Sequence, residues 1–259
     1  MSVFSFPIGF ALYLLFVTFV FGLVFGSFCN AWAWRIAHHE KITRGRSHCP
    51  NCGHTLGVLD LVPLFSYLFL RGKCRYCKKK ISPRYPVTEL ILGLYFVSVV
   101  LVFGFSWETL RLLIMGALLL TLSLVDIDTM IIPDGFMLAL LLTAPLRLLT
   151  DPSSWKSMLI GFFAVSVPLL ILVLIMDKVW KKDSMGGGDI KLLAVLGAHF
   201  GAASTLLLLI LACIFGLIGA KLAKKRKGTP FPFGPMLSIA AWVTVFLGPP
   251  VIRWYLSLF

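Results

Sequence analysis

Apolar and polar residues sort along this chain into whole segments rather than alternating by single positions. Apolar stretches lie near residues 8–30, 87–105, 109–125, 135–149, 157–177, 189–200, 202–220 and 235–252. A helix needs about 20 such residues to cross a bilayer. The pattern therefore predicts an all-α polytopic membrane protein of about eight transmembrane helices. The segments near 135–149 and 189–200 are short for a crossing, so one of them is expected to tilt, to be buried in the bundle or to span incompletely. The first stretch is too long for a signal-peptide core, carries no basic residue before Arg35 and has no clear cleavage site, so it reads as a retained span.

One polar region of size interrupts this pattern, about residues 36–86, and it divides the chain into a first span (1–35), a cysteine-rich loop (36–86) and the remaining spans (87–259). Four of the six cysteines lie in the loop as two knuckles, Cys49-Pro50-Asn51-Cys52 and Cys74-Arg75-Tyr76-Cys77, separated by 21 residues. Paired C-x-x-C turns at this spacing supply four thiolates to a tetrahedral zinc. The competing reading is two disulfides, which a reducing cytoplasmic loop disfavours. A loop with so little core also needs a staple to fold. Four thiolates leave no open position for water, so one structural zinc per chain is expected on Cys49, Cys52, Cys74 and Cys77, with His54 as an alternative to one cysteine. Cys29 and Cys213 fall inside apolar spans and read as small buried hydrophobes. The apolar run from Asp60 to Leu68 is too short to span, and is expected to pack under the zinc site or lie at the membrane interface. Glu89, near the start of the second span, reads as ordinary complementation of a helix dipole.

Carboxylates at the edge of a bilayer are costly enough to call for a function. Asp126, Asp128 and Asp134 cluster where the apolar segment ending near Val125 stops, and Asp189 follows Gly186-Gly187-Gly188 at the start of another. Either acid alone is adequately explained as a topological stop or a helix N-cap. Together they are not, because three consecutive glycines cost a helix roughly 1 kcal/mol each relative to Ala. Glycines there imply close backbone approach or unusual dihedrals. Asp126 and Asp189 are thus expected to meet at one depth as a catalytic pair. Asp128, two residues along a helix from Asp126, points to another face. Pro133 is expected to end or bend the chain, and Asp134-Gly135 to turn it into the next span.

Composition agrees with the segment pattern. The chain is 59% hydrophobic, only 14% charged, and has a mean hydropathy of +0.93, which excludes an ordinary soluble domain. Its net charge of +13 raises nucleic acid as a partner, but the distribution of that charge argues against it. Twenty of the 24 Lys and Arg residues fall at 35–84, 178–182, 191 and 221–227, against Arg111, Arg147, Lys156 and Arg253 elsewhere. Such sorting is the positive-inside signature of cytoplasmic loops, and the charge also suits anionic lipid head groups. An even span count then leaves both termini outside and puts Asp126 and Asp189 at the cytoplasmic face.

The ordered set of motifs resembles the prepilin peptidases, the bifunctional type IV leader peptidases and N-methyltransferases of bacterial inner membranes. It comprises Phe25-Gly26-Ser27-Phe28-Cys29-Asn30 with Arg35, both cysteine knuckles, the stretch from Asp60 to Tyr67, Gly72-Lys73-Cys74-Arg75 and Arg84-Tyr85-Pro86-Val87-Thr88-Glu89. It continues with Asp126-x-Asp128-x4-Pro133-Asp134, Gly186-x-Gly188-Asp189 and Phe233-Gly234-Pro235. The resemblance covers nearly the whole chain. It implies that Asp126 and Asp189 are the catalytic aspartates and that 87–259 carries the peptidase. It also implies cleavage of the basic leader of type IV prepilins or type II secretion pseudopilins after a glycine, and methylation of the new N-terminus from S-adenosylmethionine. No cofactor-binding motif stands out in the residues themselves, so the methyl donor rests on the resemblance alone.

Two carboxylates held close are expected to share one proton and titrate together, supplying an acid and a base for attack of water on a peptide. Two other readings stay open at this point. A presenilin-like intramembrane aspartyl protease shares the G-x-G-D signature but leaves the zinc loop unexplained, and an ion-coupled transporter would use intramembrane aspartates to bind cations. The pilin substrate, the residues that bind the methyl donor and the oligomeric state are not readable from the sequence.

Overall fold

A computed structural model of the protein describes residues 3–41, 45–181, 185–222 and 231–258. Arg44, Lys182 and the basic run beyond Leu222 lie outside the described residues. Among those described, the chain forms ten α-helices and short 3-10 turns, with no strand beyond two isolated bridges, His48 with Thr55 and Lys73 with Lys80. The helices are α1 (Ile8–Ala37), α2 (Phe65–Phe69), α3 (Arg84–Phe103), α4 (Trp107–Thr129), α5 (Asp134–Thr143), α6 (Trp155–Ala164), α7 (Ser166–Trp180), α8 (Gly187–Phe200), α9 (Ala202–Leu222) and α10 (Gly234–Leu256). The chain divides into two compact units, Met1–Leu124 and Val125–Phe259.

Among the described residues six segments, against the eight expected, are long and apolar enough to cross a membrane: α1, α3, α4, the α6–α7 stretch from Pro152 to Trp180, α9 and α10. Their outward surfaces are apolar as well, with Phe16, Phe21, Leu94, Leu174 and Leu217 all more than half exposed. That surface suits lipid, so the protein is a multi-pass membrane protein. The two short apolar segments behave differently from the rest. Residues 135–149 form ten-residue α5 and a 3-10 turn, Ala144–Leu149. The segment near 189–200 forms α8, whose 14 residues reach only about 21 Å. Every α8 residue from Ile190 to His199 except Lys191 is buried. A helix that is apolar all round belongs inside protein, and α8 is the central helix of the second unit.

Small residues set the closest helix contacts in each unit. In the first, a Cβ added at Gly22 would lie 2.7 Å from the Gly93 Cα, and one at Gly26 2.7 Å from the Glu89 Cα. This small-x-x-x-small spacing brings the backbones of α1 and α3 together without side chains between them. In the second unit, Gly161 of α6 and Gly197 of α8 meet backbone to backbone, each occupying the space a Cβ on the other would need.

The 3-10 turn Val58–Asp60 and α2 account for the short apolar run in the loop. Phe65, Leu68 and Phe69 stay exposed, as expected of a segment lying at an interface. Cys29 is buried, as expected, but Cys213 is exposed on α9. Cys213 lies on the outward face of a spanning helix, where lipid rather than protein surrounds it, so the expectation of burial in protein was wrong there.

Candidate active site and metal centre

α4 continues to Thr129, about one turn past the end of its apolar run, and Met130 closes it in a left-handed conformation with its N–H on the Asp126 carbonyl (2.8 Å). The extra turn puts Asp126 and Asp128 on helix, where two residues amount to about 200° of rotation. Asp126 is accordingly buried, 4% exposed, and Asp128 is exposed. Pro133 caps α5, and Asp134 and Gly135 form the first turn of that helix rather than a separate turn before it. Asp134 pairs at the surface with Lys191 (2.8 Å).

Asp189 lies in the first turn of α8, half-buried. It is close enough to Asp126 for the charge of one carboxylate to act on the other. The third part of the site comes from α10, which begins with Gly234-Pro235. The Gly234 N–H donates to Asp126 Oδ2 at 2.9 Å, and a Cβ on Gly234 would stand 2.8 Å from that same oxygen. Glycine is required for the approach, and proline costs nothing in a first turn that lacks an N–H acceptor. Ile132 packs against this junction, 3.2 Å from where a Gly188 Cβ would be and 3.3 Å from the corresponding point on Gly234.

The glycine run resolves residue by residue. None of Gly186, Gly187 and Gly188 has a positive φ, so unusual dihedrals are not what they provide. Gly186 makes room for Asp189 Oδ2 and Gly188 for Ile132, while Gly187 has open space beyond it. One oxygen is left over: Asp189 Oδ1 is buried with no hydrogen-bond partner among the described residues. A buried acceptor without a partner costs about 1–3 kcal/mol, which a structure retains where a reacting group will supply the partner. The end of α4 and the starts of α8 and α10 thus hold two carboxylates, one backbone donor and one unpaired oxygen.

In the first unit, Cys49, Cys52, Cys74 and Cys77 are all free thiols, and their Sγ atoms lie within 4.8 Å of one another. Cys49 and Cys77 Sγ are 3.9 Å apart. Zn–S bonds of about 2.3 Å set tetrahedral sulfur edges of about 3.8 Å, so the four thiols fit zinc. Each knuckle closes on itself, with Gly53 N–H donating to the Cys49 carbonyl (2.8 Å) and Lys78 N–H to that of Cys74 (3.0 Å). His54 packs tilted against Tyr76, with ring centroids 3.5 Å apart, and is not in the cluster. Asp60 ties the loop to the second knuckle through Arg75 Nε (2.6 Å) and the Tyr76 hydroxyl, and accepts the Gly57 N–H within its own turn. Burial alone would raise the Asp60 carboxyl, but these partners hold it below the usual carboxylate range.

Sequence reasoning missed two of these roles. Gly234 could have been sought as a Gly-Pro helix start near an acid. From the sequence Glu89 reads as a first-turn dipole partner, but α3 begins at Arg84, placing Glu89 beyond the first turn. It is 7% exposed and accepts the Leu64 N–H at 2.9 Å.

Comparison with known proteins adds relatives to this geometry. Residues 20–103 match the bacterial peptidase A24 N-terminal domain and residues 113–220 the type IV leader peptidase family. The chain is 38% identical over 219 residues to a prepilin leader peptidase/N-methyltransferase of Aeromonas hydrophila, covering 83% of this chain and 76% of that one. It is 32% identical over 250 residues to a protein of the same name from Bacillus subtilis, covering 95% and 99%, and 34% identical to one from Pseudomonas aeruginosa, covering 98% and 96%. No solved structure matches the chain.

Proposed function

The chain belongs to the type IV leader peptidase family, and on that premise we propose that it cleaves the basic leader from type IV prepilins or type II secretion pseudopilins, after a glycine, at the cytoplasmic face of a bacterial inner membrane. It then methylates the exposed N-terminus. The observation that carries the peptidase reading is the convergence of Asp126 and Asp189, 63 residues apart in sequence, with Asp189 Oδ1 left unpaired beside the pair.

In this mechanism Asp126 and Asp189 are the catalytic residues and hold one proton between them. The ionised member takes a proton from water, whose oxygen attacks the peptide carbonyl after glycine. The protonated member hydrogen-bonds the forming oxyanion and then gives its proton to the leaving amine. Gly234 N–H keeps Asp126 oriented, and the open side of Gly187 leaves room for an extended substrate backbone. Lys and Arg in the loops at 35–84 and 221–227 support a cytoplasmic position for the site and contact with anionic lipid. Nucleic acid has no part in this reading.

The four cysteines would hold one structural zinc that fixes the loop and takes no part in cleavage. S-adenosylmethionine, when bound, supplies a methyl group on sulfur, which the freed amine attacks to leave S-adenosylhomocysteine and a proton.

Mass spectrometry of a prepilin incubated with the purified protein and S-adenosylmethionine tests both activities. Loss of the leader mass and gain of one methyl mass on the mature chain are expected. An intact substrate, or cuts within its transmembrane helix, would replace this reading with that of a transporter or a presenilin-like protease.

A further inference from the structure

The four residues that join α4 to α5 are held at both ends. Met130 closes α4 at φ 55 with its N–H on the Asp126 carbonyl (2.8 Å), and the Ile131 N–H donates to Thr129 Oγ1 (3.3 Å). On the far side Pro133 caps α5, and Asp134 accepts from the Lys191 ammonium of α8 at 2.8 Å. Between these ties Ile131 turns outward and is exposed, whereas Ile132 is half-buried.

Ile132 meets both of the other helix starts that build the site. Its Cβ lies 3.2 Å from where a Cβ on Gly188 would be, and its Cδ1 lies 3.3 Å from the corresponding point on Gly234. Gly188 directly precedes Asp189, and the Gly234 N–H holds Asp126 Oδ2 at 2.9 Å. One side chain thus stands between the backbone that carries one acid and the backbone that orients the other. A β-branched residue is stiff at χ1, and packed interiors transmit small displacements rather than absorb them, so this contact sets a distance.

We propose that Ile132 is a positioning residue, an apolar spacer that fixes the separation of the Asp126 and Asp189 carboxylates and so the strength with which they share a proton. The inference rests on the peptidase part of the proposed function. Two carboxylates share a proton only while they are close and poorly screened. Ile132→Ala removes three carbons while the ties at Met130 and Asp134 keep the loop in place, so water enters beside the pair and screens one carboxylate from the other. The pair then loses its shared proton at lower pH and takes a second one at higher pH. Other charged groups at this end of the unit, among the described residues, are Asp128, the surface pair of Asp134 and Lys191, and Asp177, Lys178 and Lys221 at the ends of α7 and α9. The substitution alters none of them, and α10 has no titratable residue before Arg253.

The test is leader cleavage of a prepilin by the full-length protein in detergent, with kcat and KM followed across pH. For Ile132→Ala, kcat is expected to fall at least tenfold with KM within roughly threefold of wild type, since a misplacement of about 1 Å can cost 10²-fold. The bell-shaped pH profile of kcat/KM should narrow from both sides, because its two limbs belong to the pair. Ile132→Val keeps the branch beside Gly188 and loses the Cδ1 beside Gly234, so its rate and bell width should fall between the two. Folding is read from amide protection of α8, and should Ile132→Ala lose that protection, Ile132→Val decides by the same profile. A folded variant with wild-type kcat, or with reduced kcat and an unchanged bell, overturns the spacer. A wild-type protein that cuts no prepilin removes the peptidase reading itself, which is a distinct failure.

Discussion

At the scale of single residues, the four acids near the site differ in environment, and their substitutions should differ accordingly. Asp126 is buried against the Gly234 amide and Asp189 has an unpaired buried oxygen, whereas Asp128 is exposed and Asp134 is in a surface pair with Lys191. Asp126→Asn and Asp189→Asn should each lower leader cleavage by about 10²-fold or more, the usual contribution of a positioned acid or base, while the protein still accumulates in the membrane. Asp128→Asn and Asp134→Asn should leave cleavage readily measurable. Full cleavage by either of the first two variants would falsify the pair. Gly234→Ala probes the same site from its backbone side. Its Cβ would stand 2.8 Å from Asp126 Oδ2, so carboxylate or helix start must shift, and turnover should drop with little change in the amount of folded protein. A Gly234→Ala enzyme with unaltered turnover would show that the amide contact does not set the position of Asp126.

At the scale of elements, the sequence made the long helices legible because each apolar run was long enough to read as a crossing. It marked the cysteine knuckles because C-x-x-C spacing has few other physical uses. Less legible was whatever depends on neighbours. Apolar periodicity cannot distinguish a helix surrounded by lipid from one surrounded by protein, so the short segment near 189–200 leaves tilt, burial in the bundle and partial spanning all open, and the fold selects burial for α8. The same ambiguity assigns Cys213 to protein when it faces outward. An apolar stretch that begins only near residue 87 makes Glu89 a first-turn dipole partner, whereas α3 begins at Arg84. The run from Gly186 to Gly188 implies close approach or unusual dihedrals, and only the fold decides between them: Asp189 itself approaches Gly186 and Ile132 approaches Gly188. The cysteine loop yields the prediction that belongs at this scale. With no strand among its described residues and little apolar core of its own, the loop is expected to owe its fold to the proposed zinc, as small zinc domains do. Removing zinc with a chelator should make residues 45–82 exchange amide hydrogens and accept protease cuts far faster, with α8 still protected. A loop that stays protected once metal analysis finds no zinc would make the cysteines dispensable to its structure.

At the scale of the whole molecule, the proposed function assigns the two chemistries to different parts of the chain. The aspartate pair, Gly234 and Ile132 all belong to Val125–Phe259, and the four clustered cysteines to Met1–Leu124. Peptide cleavage needs a water and a proton-sharing acid and base. Methyl transfer needs a bound donor and a deprotonated amine, and no step of it calls on the aspartates. A substrate already cut to expose its N-terminal amine should therefore be methylated by Asp189→Asn at close to the wild-type rate, although the same variant fails on intact prepilin. Variants of Cys49 and Cys52 should show the converse, cutting intact prepilin while transferring little methyl to the pre-cut form. The measurement is transfer of a labelled methyl group to pre-cut pilin beside an intact prepilin control, with zinc content as the test of folding for Asp189→Asn and retained cleavage of intact prepilin as the test for the cysteine variants. If folded Asp189→Asn cannot methylate the pre-cut substrate, both reactions need the same carboxylate. A single shared site would then have to replace two.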